Sequence, residues 1–158
     1  MATNTARIRV GRLLEIRADR GHRTVADVDT VFDTVDREVE KLANSERHVT
    51  VVDWRKCPVM SPLAAARMAE RIELGNGRTL LSAALANHDS PVAVLQFLRV
   101  IREAGLPDRK LFFDPGQLVE WLTGALKKTE LRRLREFLGE DQQDQLDGSR
   151  SLAAPLVI

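Results

Sequence analysis

Three times in this sequence a short run of strand-forming residues leads to a helix start that carries proline. His48–Trp54 leads to Ser61-Pro62, Thr79–Ala86 leads through Asn87 to Ser90-Pro91, and Arg109–Phe113 runs straight into Asp114-Pro115. Proline at the first helical position gives up an amide proton that has no partner there in any case. A Ser or Asp before it accepts from the backbone N–H groups of the first turn. The first two runs are almost continuously apolar, as strands buried on both faces are. Repeated strand–helix units call for right-handed crossovers and therefore a mostly parallel sheet.

The flanking segments extend the pattern. Ile8, Val10, Leu14 and Ile16 alternate with polar residues in a half-buried strand, Ile8–Ala18, interrupted at Gly11-Arg12 by either a hairpin turn or a bulge. Thr24 and Asp27 form a capping box for a helix striped by Val25, Val28, Phe32, Val35, Val39 and Leu42, ending at Asn44-Ser45-Glu46. The later helices turn Ala64, Met68 and Ile72, then Val94, Leu95, Leu98 and Ile101, then Leu118, Leu122 and Leu126 inward. A final helix, Thr129–Leu138, puts Leu131, Leu134 and Leu138 inward and Arg132, Arg133 and Arg135 outward.

The expected fold is a single α/β domain over residues 7–138. It has a central four- or five-stranded, mixed but mostly parallel sheet with packed helices and an extra C-terminal helix. Residues 1–6 are expected to be a flexible terminus. Residues 139–158 are expected to be a polar, mobile tail with an apolar end at Leu156-Val157-Ile158.

Charge and cysteine usage narrow the function classes. The 24 basic and 23 acidic side chains leave a formal charge of +1, without the basic excess of a general nucleic-acid binder. No apolar run reaches the length of a membrane span, and Met1–Arg12 has no secretory core, so a cytoplasmic location is expected. Cys57 stands alone and His22, His48 and His88 are widely spaced, so neither a metal nor a cofactor is expected.

A parallel sheet brings the three strand–helix junctions to one rim, where ligands of open α/β sheets bind and helix N-termini favour anions. The candidate partner-binding residues there are Asp53, Trp54, Arg55, Lys56, Cys57, Ser61, Asn87, His88, Asp89 and Ser90. Two kinds of chemistry are open to them. Cys57 with His88 and Asp89 would make a nucleophile and base, or else Cys57 is an inert filler. Asp53, Asp89 and Asp114 would hold Mg²⁺, or else they bond backbone N–H groups and cap helices.

The segment His48–Leu63, HVTVVDWRKCPVMSPL, resembles the part of STAS domains, in particular the SpoIIAA-like bacterial regulators, where a buried strand ends in Asp and a loop leads to a helix. Thr79–Asn87, Ser90–Gly105 and Lys110–Leu122 resemble the later strand–helix pairs, so the likeness covers about residues 8–126. It implies a non-catalytic interaction domain whose partner is a kinase-like or other signalling protein. A homodimer is consistent with it, and a small-molecule or lipid carrier is the alternative. In phosphorylated members a Ser at the start of that helix is the switch. Here the acceptor position falls on Pro62, the Asp-Ser-Ser-Gly pattern is absent, and Ser61, one residue away, is the remaining phosphorylation candidate.

Overall fold

Gly11 decides how the sheet begins. Its φ of +57° turns the chain so that β1 (Asn4–Ile8) folds back antiparallel on β2 (Leu13–Ala18), pairing Asn4 with Ala18 and Ile8 with Leu14. A Cβ at this position would run into the carboxylate of Glu130, so both the left-handed backbone and the close approach require glycine. The interruption is a hairpin rather than a bulge. Pairing starts at Asn4, inside the stretch expected to be a flexible terminus, because the edge of β2 is otherwise open.

The computed structural model describes residues 2–105 and 108–139; the expected tail beyond Gly139 lies outside them. β3 (His48–Asp53), β4 (Thr79–Leu85) and β5 (Arg109–Phe112) continue the sheet in the order β1-β2-β3-β4-β5, with every pair after the first parallel. The crossovers are α1 (Val25–Val39), α2 (Pro62–Leu74) and α3 (Pro91–Ala104). Each steps to the next strand in the same direction, so right-handedness puts all three on one face. The other face is covered by α4 (Pro115–Leu122) and α5 (Lys128–Leu138).

Alternation along each strand divides the buried residues into two cores. Leu14, Ile16, Val52, Ala84 and Leu111 pack with Val28, Met68 and Phe97 of the crossover helices. Leu13, Val49, Val51, Leu85 and Phe112 pack with Leu118, Leu122, Leu134 and Phe137.

Three local expectations change. In α3 the buried side is Ala93, Val94, Phe97, Val100, Ile101 and Ala104, while Leu95 is 68% exposed. Phe97 stacks on Trp54 with ring centroids 4.4 Å apart, and seating that large ring turns Leu95 out. In α5 Arg133 reaches inward, because Glu15 of β2 lies buried beneath it and needs a cation; the two form a bidentate pair with both contacts at 2.7 Å. The Thr24–Asp27 capping box is present, Ser61 accepts from Ala64 N–H at 3.2 Å and Asp114 from Gln117 N–H at 3.3 Å. Ser90, expected to cap α3, makes no side-chain cap bond. In the turn before it, Asn87 Oδ1 accepts from Asp89 N–H at 2.9 Å.

Candidate functional site

The parallel run of β3, β4 and β5 sets the turns after Asp53, Leu85 and Phe112 along one edge of the sheet, as the junction pattern implies. Several residues nominated there turn inward. Asp53 is buried and takes two hydrogen bonds from the Arg55 guanidinium, at 3.0 and 2.9 Å, with Arg17 at 3.5 Å. Arg55 also donates to the carbonyl of Leu138 at 3.1 Å. Arg17 donates to that of Phe137 at 2.5 Å and lies 4.4 Å over its ring. The two cations thus meet the last carbonyls of α5, at the negative end of its dipole. Burial alone would raise the Asp53 pKa, but the hydrogen bonds and charge of Arg55, with Arg17 behind, outweigh it and hold the carboxyl below its ordinary value.

Trp54 and Cys57, nominated as rim residues for partner binding, are also buried. Burial pushes the Cys57 thiol up to about 12, the charge of Asp19 adding to it, so it stays protonated and unreactive at neutral pH. His88 is exposed and faces Asp89 at 3.3 Å. No contact joins it to Cys57 among the described residues, and none of their His, Cys, Asp and Glu side chains form a group of three able to hold a metal ion. The loop after β3 is pinned where Gln96 of α3 donates to Met60 O at 2.8 Å and accepts from Met60 N–H at 2.7 Å.

The solvent-facing part of the rim is Lys56, Asn87, His88, Asp89 and Ser90, with Arg55 and Ser61 half-buried. Val59, Leu63, Val92 and Leu95 are each more than half exposed. Leu63 and Val92 sit one residue into α2 and α3, off the buried stripes, and that offset is the sequence signal for their exposure.

A second feature has no counterpart among the nominated residues. Between the sheet and the α1–α2 pair lies a cavity of about 300 Å³. Small side chains on the sheet contribute to it: β4 presents Thr79, Ser82 and Ala84 to this space, opposite Met68 and Ile72 of α2. Ile16, Val31, Val52 and Trp54 make much of its apolar wall.

Two buried histidines line the cavity. His22, 2% exposed, has a ring Nδ1 with no hydrogen-bond partner; burial lowers its pKa, partly opposed by Asp27. His48 has Nδ1 at 2.8 Å from Thr50 Oγ1 and Nε2 at 3.4 Å from Thr79 Oγ1. Burial first, then the charges of Arg78 and Arg109, bring it down to about 4. The lining comes from four strands, β2 to β5, and from α1, α2 and α3, so no local motif announces it. A scan of protein-family models and searches of curated proteins and of solved structures each found no match to this chain.

Proposed function

We propose that this protein is a non-catalytic binding domain that holds a small, largely apolar ligand between the sheet and the α1–α2 pair. The observation that carries the reading is the partly open cavity of about 300 Å³ with its largely apolar wall. The volume lies at the small end of ligand pockets, and a ligand that covers this wall removes apolar surface from water. The buried, protonated Cys57 supports the non-catalytic part. Decanol is a suitable first probe, read by the emission of Trp54, which lines the cavity. Saturable binding to the wild type is expected, with loss of binding in Ala84→Phe, which fills the space. Equal binding by an Ala84→Phe protein that still melts cooperatively would overturn the reading.

A second reading draws on the exposed apolar side chains Val59, Leu63, Val92 and Leu95 in the loop after β3 and the first turns of α2 and α3. Apolar side chains gathered at such a surface would mark an interaction site, and the resemblance to STAS domains supports a signalling partner there. Arg55 is unsuited to testing this because it secures α5. The informative variant is Leu63→Asp/Leu95→Asp. A protein retained from lysate by the wild type should be lost by this variant at unchanged melting temperature; identical retention by both removes these side chains as a docking surface.

A further inference from the structure

We propose that the ligand of this cavity is a single-chain amphiphile with an anionic head, carboxylate or phosphate, and that Arg78 and Arg109 receive that head. The proposal rests on the cavity reading above and adds the ligand's charge and orientation. His48, Thr79 and Arg109 stand at the amino ends of β3, β4 and β5, with Arg78 just before β4; His22 and Trp54 lie just beyond the carboxyl ends of β2 and β3. All six line the cavity. β3 between these ends is six residues long, or roughly 20 Å at the usual strand rise. The space therefore extends along the strands, with cations at one end and a largely apolar wall between the two ends.

The cations at the near end are what give the head its sign. Arg109 donates to the backbone carbonyl of Gly105 at 3.3 Å and to the side-chain oxygen of Asn76. Arg78 donates to the backbone carbonyls of Glu46 and Ala43, both at 3.1 Å. These acceptors are all neutral, and no carboxylate pairs with either arginine among the described residues. Arg71, at the same mouth, is by contrast held by Asp29, Asp33 and Asp36 at 3.0, 3.1 and 3.0 Å. The remaining acid lining the mouth, Glu40, is exposed on the α1 side.

A partly buried guanidinium without a carboxylate is costly unless an anion completes it. Arg109 feels this as a pKa drawn down to about 10 by burial. Carboxylate and phosphate both match the guanidinium fork. His48, held neutral and bonded to Thr50 and Thr79, adds no competing negative charge. The wall between the two ends, formed by Val31, Val52, Met68 and Ala84, offers an aliphatic chain only apolar contact.

The test compares decanoate, decyl phosphate, decanol and decyltrimethylammonium by titration calorimetry on the full chain, below the concentrations at which each aggregates. The wild type is expected to bind at least one of the two anions about tenfold or more tightly than decanol, the gain typical of hydrogen bonds to a charged group. Which anion leads identifies the head. Decyltrimethylammonium should bind more weakly than decanol. Arg109→Gln and, separately, Arg78→Gln should bring the preferred anion toward the decanol affinity while leaving decanol binding unchanged. Decanol binding as tightly as both anions, or unaltered anion binding in both variants, would overturn the anionic head while leaving the cavity reading in place. No binding of any of the four would overturn both. The wild-type ranking needs no variant, so it stands even if one of the arginine variants fails to fold.

Discussion

Asp53→Ala should lower the stability of this domain by about 3 kcal/mol, a substantial part of the roughly 5–15 kcal/mol expected of a folded domain. The aspartate is buried at the end of β3, and among the described residues its two oxygens are the only carboxylate contact of Arg55. Removing it leaves two guanidiniums, those of Arg17 and Arg55, facing each other across an emptied site. Their anchorage of the Phe137 and Leu138 carbonyls loosens in turn. Both arginines are about one-third exposed, so water recovers part of the loss, which is why the figure sits at the low end for a broken buried pair. Arg55→Ala should cost less, since Arg17 remains at 3.5 Å to satisfy the carboxylate. Urea unfolding followed by tryptophan emission measures both variants. A loss below about 1 kcal/mol for Asp53→Ala would show that α5 is held without this cluster.

The same cluster shows what the sequence could and could not convey. That Asp53 ends a buried strand, and that its loop lies on one rim with those after β4 and β5, follows from strand patterning and the proline-bearing helix starts, which are local signals. That Asp53 faces α5 rather than solvent depends on a helix 75 or more residues later crossing the opposite face of the sheet. No spacing near Asp53 encodes that meeting. Glu15 and Arg133 repeat the lesson: each looks like an exposed charge in its own segment, and only their encounter across 118 residues buries them. Leu95 and Phe97 differ for another reason. Both fit a helical stripe, and the choice between them was made by Trp54, which needed a ring to stack on. The cavity was least legible, because its lining is drawn from four strands and three helices spread along the chain.

Acid should destabilise the protein in two separable steps, and the first belongs to the cavity. His48 titrates at an ordinary 6.5 when unfolded and at about 4 when folded. A histidine with a depressed folded pKa favours the native state fully above its unfolded pKa, and that advantage is lost as pH falls from 6.5 toward 4. A gap of about 2.5 units corresponds to about 3 kcal/mol. His22, also lowered by burial, contributes in the same direction as pH falls below 6.5. The carboxylates of Asp53 and Glu38 have folded pKa values below their unfolded ones, so their contribution is intact above about pH 5 and is lost as pH falls further. Urea midpoints measured from pH 7.5 to 5 should therefore already fall, before these two carboxylates contribute. His48→Gln, which keeps a hydrogen-bonding group between Thr50 and Thr79 but cannot titrate, should remove most of that slope. If His48→Gln declines as steeply as the wild type, the histidine is not the group that charges. If the slope disappears, protonating this wall of the cavity is what opens the fold in mild acid, since it adds a positive charge beside Arg78 and Arg109, with which no carboxylate pairs among the described residues.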